Sequence, residues 1–295
     1  MTTDFGPREW VGDADAGQIC VWRPCQPEQP ARLHFAHATG FHAHAYAPLF
    51  AELSDIPLAA WDMRGHGHSS AAGDLRRFKS WRIYARDLRR WLEQQPAPVW
   101  LAGHSVGAAV SAMVAARHPE RVRGLILIEP VFMSRKLGWM LRAGRLSRRL
   151  SHNPLAVGAL RRRNGFASLD KARQAYRGRG AFKTWPDAWL NAYVDDAFAR
   201  GEDGLWHLRC DPRWESRSFE LTLSNPWEYV RQLTVPTTVL LGQPAQSTVN
   251  ADARRTLTAL CPQAVVREWP EASHFLPMEH TTEVATAIRA MLETS

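Results

Sequence analysis

The stretch "VWLAGHSVGAAVSAMVAARHPERV", from Val99 to Val122, joins a short apolar run to a run of small residues. Its junction is Gly103-His104-Ser105-Val106-Gly107, in which one serine lies between two glycines. A strand that turns directly into a helix must reverse sharply, and glycine fits such a turn because it has no side chain to collide. The pattern therefore predicts a strand, a tight elbow and a helix, with the Ser105 hydroxyl held above a sheet.

Length and composition are those of an ordinary globular chain. The 295 residues are 45% hydrophobic and 22% charged, which suits one large domain or one domain with an insertion. No segment approaches the roughly 18 uncharged apolar residues of a membrane span. The opening "MTTDFGPREW" has no apolar run after a basic start, so no signal peptide is expected. The four cysteines lack metal-site spacing, and reduced thiols in a cytoplasm are the expectation.

Strand and helix patterns alternate along most of the chain, after a predicted hairpin over residues 9–23. The strand patterns are mostly short, continuous apolar runs, and such runs suit strands that are buried on both faces of a parallel sheet. We therefore predict an α/β fold with a mostly parallel, doubly wound sheet. The predicted strands cover residues 32–38, 58–64, 97–105, 122–130, 236–243 and 264–271, and the predicted helices cover 44–53, 80–95, 251–260 and 281–293.

The alternation stops between residues 131 and 228. This segment is rich in arginine and tryptophan and has helical spacing, so we expect an α-helical cap inserted over the carboxyl ends of the strands. The core would then comprise residues 1–130 and 229–295. The net charge of +8 lies entirely in the insertion, which has 18 basic and 10 acidic residues.

The basic part of the insertion, residues 134–150, has an amphipathic pattern. The first interpretation is a solvated cap helix, and the alternatives are attraction of an anionic substrate or of a membrane surface. Nucleic-acid binding is not expected, since the run contains no known reader module. The segment 176–190 packs arginines, glycines and aromatic residues together, so Arg177 or Arg179 could meet a substrate carboxylate.

Four motifs, taken in their order along the chain, resemble those of the α/β-hydrolase family of serine hydrolases, which includes esterases and lipases with cap domains. Besides the elbow, "FAHATGF" (35–41) resembles the oxyanion loop and "DMRGHGHS" (62–69) resembles the Asp-x-Arg-Gly-x-Gly-x-Ser loop. "EASHFLPMEH" (271–280) resembles the loop that carries the family's catalytic histidine. The resemblance covers roughly residues 32–130 and 235–292 and implies an α/β-hydrolase fold with Ser105 as nucleophile.

A serine hydroxyl needs a base, and the resemblance assigns that role to His274. The usual loop for the acid, "GQPAQST" after residue 241, has no carboxylate. Glu129 ends the strand that follows the elbow, a place where haloalkane dehalogenases and pancreatic-type lipases carry their acid. We therefore predict Glu129 as the third member, with Asp252 as the alternative. Asp62 and Arg64 are expected to form an ion pair that braces their loop.

For the oxyanion hole we expect the backbone N–H groups of Val106 and Thr39, with Gly40 as an alternative second donor. His104 is interpreted first as a structural hydrogen-bonding residue. Together with Phe41, Arg177 and Arg179, it also belongs to the set that we expect near the substrate.

The expected function is hydrolysis of a carboxylic ester, or a related acyl bond, of a small, partly hydrophobic and possibly anionic substrate through an acyl-enzyme. The same residues allow carbon–carbon bond hydrolysis or acyl transfer. A non-catalytic ligand-binding protein on this scaffold and a peripheral membrane module are alternatives from other classes. No cofactor is expected, and the "HAH" and "HGH" pairs lack the spacing of a metal site. The sequence makes no prediction of oligomeric state.

Overall fold

The structure is a computed structural model that describes residues 5–13, 17–71, 74–134, 153–221 and 225–293. The strands are β1 Arg8–Asp13, β2 Gly17–Cys25, β3 Leu33–Ala36, β4 Leu58–Trp61, β5 Val99–His104, β6 Val122–Ile128, β7 Phe198–Arg200, β8 Trp206–Leu208, β9 Thr237–Leu241 and β10 Val265–Glu268. Eight of them form the central sheet, in the order β1-β2-β4-β3-β5-β6-β9-β10. The pairs β1/β2 and β2/β4 are antiparallel, and the remaining neighbours are parallel.

Helices cover both faces of this sheet. They are α1 Ala47–Ala51, α2 Arg82–Glu93, α3 Val106–Ala115, α4 Pro154–Leu160, α5 Leu169–Tyr176, α6 Asp187–Ala197, α7 Pro212–Glu220, α8 Trp227–Val230, α9 Ala251–Leu260, α10 Leu276–Glu279 and α11 Thr281–Leu292. The predicted α/β fold with a mostly parallel, doubly wound sheet is confirmed. None of the helices among the described residues is long and apolar enough to cross a membrane.

The core consists of two apolar clusters, one on each side of the sheet. Leu101 of β5 belongs to one cluster and its neighbour Trp100 to the other, since successive side chains of a strand point to opposite faces. Every residue of β5 is therefore buried, which explains the continuous apolar run in the sequence. Helix α3 lies against β3, β5 and β6, and all of its residues are buried.

Of the predicted insertion, residues 131–228, the structure describes residues 131–134, 153–221 and 225–228. Residues 153–221 contain α4 to α7 and the antiparallel pair β7/β8, which the sequence analysis did not predict. Each of these strands has three residues, which is too short to produce a period-two pattern that can be recognised. The predicted basic helix lies mostly in residues 135–152, outside the described residues.

Close packing of α3 against β3 leaves no room for a side chain at Gly107. A Cβ atom there would lie 2.1 Å from the Ala36 carbonyl oxygen, which belongs to the backbone and cannot move aside. We expect Gly107→Ala to lower the free energy of unfolding by about 1–3 kcal/mol, the usual cost of overpacking. Gly158→Ala in α4 is the matched control, because a Cβ atom added at Gly158 would have nothing within 4 Å of it.

That control should be neutral or stabilising by up to about 1 kcal/mol, since alanine favours helix over glycine. Denaturant unfolding of both variants measures the difference. Equal stability of Gly107→Ala and the parent protein would contradict the tight contact between α3 and β3.

Candidate active site

Ser105 occupies the turn between β5 and α3. Its φ is 56° and its ψ is −116°, a backbone conformation that residues other than glycine rarely adopt. The Ser105 N–H donates to the Ile128 carbonyl oxygen at 3.0 Å, which ties the turn to the end of β6. The hydroxyl lies at the carboxyl edge of the sheet, where ligands bind in open α/β folds.

The loop between β10 and α10 brings His274 to this serine. Its Nε2 lies 3.0 Å from Ser105 Oγ, and its Nδ1 lies 3.1 Å from Glu129 Oε2. The carboxylate accepts the Nδ1 proton, which leaves Nε2 free to accept a hydrogen bond from the serine hydroxyl. The three side chains therefore form one continuous chain of hydrogen bonds.

Glu129 is fully buried directly after β6. Its φ is 45°, so this residue is also held in a left-handed conformation. Its N–H donates to the Leu240 carbonyl oxygen at 2.9 Å, and its Oε1 accepts from the Gly242 N–H at 2.6 Å. A buried carboxylate is costly without partners. Here Gly242 donates to Oε1 and His274 donates to Oε2, so both oxygens have one.

Asp252, the alternative acid, is in the first turn of α9. Its side chain is largely exposed, and its carboxylate accepts from Arg255 at 3.1 Å. The carboxylate within hydrogen-bonding distance of His274 is that of Glu129. Geometry therefore favours Glu129 as the partner of the imidazole.

The backbone N–H groups of Val106 and Thr39, the two expected oxyanion donors, have no acceptor among the described residues. In the loop that contains Thr39, the N–H of Ala38 donates to Tyr46 Oη at 3.1 Å, and that of Gly40 donates to His66 Nε2 at 3.1 Å. The alternative donor Gly40 is thus occupied. Thr39 and Val106 line the same cavity as Ser105.

His104 connects two loops of the site. Tyr46 Oη lies 2.7 Å from His104 Nδ1, and His104 Nε2 lies 2.8 Å from the His274 carbonyl oxygen. Burial and the nearby His274 lower the pKa of His104 to about 3, so its ring is neutral near pH 7. A carbonyl can only accept, so Nε2 carries the proton and Nδ1 accepts from the tyrosine hydroxyl. Tyr46 and His104 therefore link the Ala38 loop to the His274 loop.

The Asp62–Arg64 ion pair expected from the sequence is wrong. Arg64 instead makes a bidentate contact with Asp87 of α2, at 2.8 and 2.9 Å. The Asp62 carboxylate accepts from the Trp22 indole and from the backbone N–H groups of Ala43 and His68. A buried carboxylate surrounded by three donors needs no cation, and this explains the different pairing.

A cavity of about 830 Å³ lies over Ser105, between the strand ends and the inserted segment. Core loops line one side, including the residues around Thr39 and Ser105, the stretch 245–248, and His274. Helices α4 and α7, Tyr176 and residues 179–182 line the other. Most of the lining side chains are apolar: Ala38, Phe41, Trp81, Val106, Val131, Met133, Pro154, Leu155, Ala159, Ala181, Phe182, Phe219, Ala245 and Phe275.

The four residues expected near the substrate divide evenly. Phe41 and Arg179 line the cavity. His104 does not, because it is fully buried behind Ser105, where it bonds Tyr46 and His274. Arg177 does not line the cavity either; it forms an exposed ion pair with Asp187 at 3.1 Å.

Sequence reasoning missed the polar part of the cavity wall. Arg162, Glu215 and Tyr176 line the cavity, and Arg162 Nη1 lies 2.7 Å from Glu215 Oε2. Arg162 is one of three consecutive arginines, and no sequence pattern distinguishes the member that turns inward. No cluster of three His, Cys, Asp or Glu side chains in the described part of the chain could hold a metal ion.

The link between Tyr46 and His104 leads to a prediction. Tyr46→Phe leaves the Ala38 N–H and His104 Nδ1 without partners, which should cost about 1–3 kcal/mol of stability. Loss of alignment between the two loops should slow covalent labelling of Ser105 by a fluorophosphonate about tenfold. Tyr229→Phe is the control, because that buried hydroxyl contacts Arg82 at 3.4 Å instead. A Tyr46→Phe variant that labels at the parent rate would show that the link does not position the site.

Comparison with known proteins agrees with this geometry. The family model described as serine aminopeptidase, S33, matches residues 27–281. Lipase LipV of Mycobacterium tuberculosis is 36% identical over 107 residues, which cover 35% of this chain and 39% of that lipase. Monoglyceride lipase of Rattus norvegicus is 31% identical over 120 residues, covering 38% of this chain and 39% of the relative. The chain thus matches about two fifths of the length of these relatives.

Solved structures match over nearly the whole chain. E-2-(acetamidomethylene)succinate hydrolase superimposes with a TM-score of 0.76 at 20% identity, covering 97% of this chain and 99% of that one. The enol-lactonase of Burkholderia xenovorans has a TM-score of 0.65 at 18% identity, covering 97% and 100%. At such identities the likeness shows the fold alone. The family model, in contrast, spans most of the sequence, and the protein therefore belongs to the α/β-hydrolase family described as serine aminopeptidase, S33.

Proposed function

We propose that this protein is a serine hydrolase that cleaves a carboxylic ester of a small, partly hydrophobic substrate through an acyl-enzyme. The observation that carries the proposal is the hydrogen-bonded chain from Ser105 through His274 to Glu129, which opens into a largely apolar cavity. The cavity volume of about 830 Å³ suits a small-molecule ligand. We further propose that residues 131–228 act as the cap over this cavity.

The first half of the reaction makes the acyl-enzyme. Ser105 Oγ attacks the ester carbonyl carbon while His274 Nε2 takes the hydroxyl proton. The N–H groups of Val106 and Thr39 stabilise the negative oxygen of the tetrahedral intermediate. As the intermediate collapses, the ester C–O bond breaks, and His274 returns the proton to the departing alcohol.

The second half releases the acid. Water attacks the acyl carbonyl carbon, and His274 Nε2 accepts its proton. The bond to Ser105 Oγ then breaks, and the serine regains a proton from His274. Throughout both halves, the Glu129 carboxylate holds the imidazole in one tautomer and stabilises its protonated form.

Esters fit the cavity better than peptides with a free amino terminus, although the family's description names an aminopeptidase. A peptide's terminal ammonium group needs an available carboxylate. Among the described residues that line the cavity, Glu215 is the one acidic side chain, and Arg162 already neutralises it. Two relatives with matching segments are named lipases, which also supports an ester.

An anionic group of the substrate would contact Arg179, which lines the cavity and forms no ion pair with any described residue.

For the compartment, we retain the cytoplasm as a hypothesis. It is supported by the four cysteines, which are all free and buried.

The proposal is tested by covalent labelling. A fluorophosphonate should label the parent protein at Ser105, and Ser105→Ala should lose both labelling and ester turnover. Ser247→Ala is a matched control, since Ser247 lines the same cavity but accepts a hydrogen bond from Val249 N–H. The readouts are mass spectrometry of the labelled peptide and hydrolysis of esters of increasing chain length. Undiminished turnover by Ser105→Ala would exclude the serine mechanism.

The identity of the acid is tested separately. In Glu129→Gln the side-chain oxygen can still accept from the Gly242 N–H, but the amide then donates to Nδ1 and imposes the wrong tautomer. We expect kcat to fall by about 10²–10⁴ with a nearly unchanged melting temperature. Asp252→Asn should stay within about threefold of the parent, because its partner is Arg255. If Asp252→Asn loses its kcat while Glu129→Gln stays active, the acid is Asp252 instead.

A further inference from the structure

A buried ion pair in the cavity wall has no part in the proposed mechanism. Arg162 follows α4 and Glu215 belongs to α7, and their side chains are 18% and 8% exposed. Both residues line the cavity that contains Ser105. A pair this buried requires further hydrogen bonds to offset the cost of its desolvation. The other contacts of the two side chains therefore show which of their polar atoms can still bind a substrate.

Both terminal nitrogens of the Arg162 guanidinium group have partners. Its Nη1 donates to Glu215 Oε2 at 2.7 Å, and its Nη2 donates to Tyr193 Oη at 2.6 Å and approaches Tyr176 Oη at 3.4 Å. The Tyr193 hydroxyl in turn donates to the Gly40 carbonyl oxygen at 3.3 Å. The pair is thereby fastened to the loop that contains Thr39.

The second carboxylate oxygen of Glu215 is different. No described residue donates a hydrogen bond to Oε1, although the side chain lines the cavity. This oxygen lies against Gly40, where a Cβ atom would be only 2.3 Å from it. Gly40 has φ +79° and follows Thr39 directly. The open acceptor therefore lies against the residue next to the proposed oxyanion donor.

We propose that the Arg162–Glu215 pair binds a free hydroxyl group of the ester substrate, which donates a hydrogen bond to Glu215 Oε1. The inference rests on the proposed function and names its substrate class: esters with a hydroxyl group a few bonds from the ester carbon. The pair has no net charge, so it offers an acceptor without attracting an anion. A cationic group at Oε1 would lie close to the Arg162 guanidinium, which disfavours an amine.

Discrimination follows from the surroundings of this acceptor. Phe41, Trp81 and Phe219 make the adjoining cavity wall apolar. An ester that places a methyl group at Oε1 displaces water from a charged acceptor and returns no hydrogen bond. Sites built around a substrate hydroxyl reject the analogue that lacks it for this reason. We expect a preference of about tenfold or more in kcat/KM.

The test uses substrate pairs in which a methyl group replaces the hydroxyl. 2-Hydroxyethyl butanoate against propyl butanoate places the hydroxyl in the alcohol half. Methyl 3-hydroxybutanoate against methyl 3-methylbutanoate places it in the acyl half. The parent protein should prefer the hydroxyl member of at least one pair by about tenfold or more, and the pair that responds identifies the half bound at Glu215. If the parent protein hydrolyses both members of each pair with equal kcat/KM, the inference is overturned, and this result needs no variant.

The variant that assigns this preference is Arg162→Met/Glu215→Leu. Replacing both partners avoids leaving one buried charge alone. It should reduce the ratio of the two kcat/KM values within the responding pair to about twofold or less, because the loss of the acceptor affects only the hydroxyl member while any change in the Thr39 loop affects both members. Arg173→Met/Asp195→Leu is the matched control, because that ion pair also lies in the inserted segment but does not line the cavity. The control should retain the full preference.

The outcomes separate the two proposals. A double variant that retains the tenfold preference overturns the role of the pair, even when the parent discriminates. Labelling of Ser105 with hydrolysis of both members at equal rates removes this inference and leaves the proposed function intact. An unlabelled Ser105 without turnover of any ester removes the proposed function, and this inference with it.

Discussion

The approach of α3 to the carboxyl edge of the sheet is the constraint on which the site depends. Gly107 packs so closely on β3 that the Ala36 carbonyl occupies the space of a side chain. The reversal after β5 then puts Ser105 in a left-handed conformation, at a cost of about 1–3 kcal/mol that the surrounding packing must offset. It also sets the Val106 N–H beside the loop of Thr39.

The partners of Ser105 are held by backbone contacts rather than by their own loops alone. Glu129 receives the Gly242 N–H of the strand end beside it, and His104 donates to the His274 carbonyl oxygen. Gly242 follows β9, which pairs with β6, and His104 is the last residue of β5. Strand order thus brings together side chains that are 24 and 145 residues apart along the chain. Such backbone contacts limit rotation of the imidazole relative to the serine hydroxyl.

The inserted segment contributes a different kind of surface. Its apolar residues line one side of the cavity, while Arg162 and Glu215 add one polar region beside the Thr39 loop. The clustered positive charge of the insertion suggested an anionic substrate, but the buried arginine nearest this loop is already neutralised. Net charge counts residues, whereas recognition depends on which charges lack partners.

The sequence by itself determined the strands and the elbow, because buried strands and a tight turn demand particular residue types at short range. Its resemblance to α/β hydrolases pointed to Ser105 and His274, and it left Glu129 and Asp252 open as the acid, between which the 3.1 Å contact of Glu129 with His274 favours Glu129. It also excluded the loop after β9 as a source of the acid, since that loop has no carboxylate. Only the tertiary structure decided the pairing of Arg64 with Asp87, the links of His104, the short strands β7 and β8, and the inward turn of Arg162. Each of these depends on contacts between distant segments, and hydrogen bonds of that kind leave no periodic pattern along the chain.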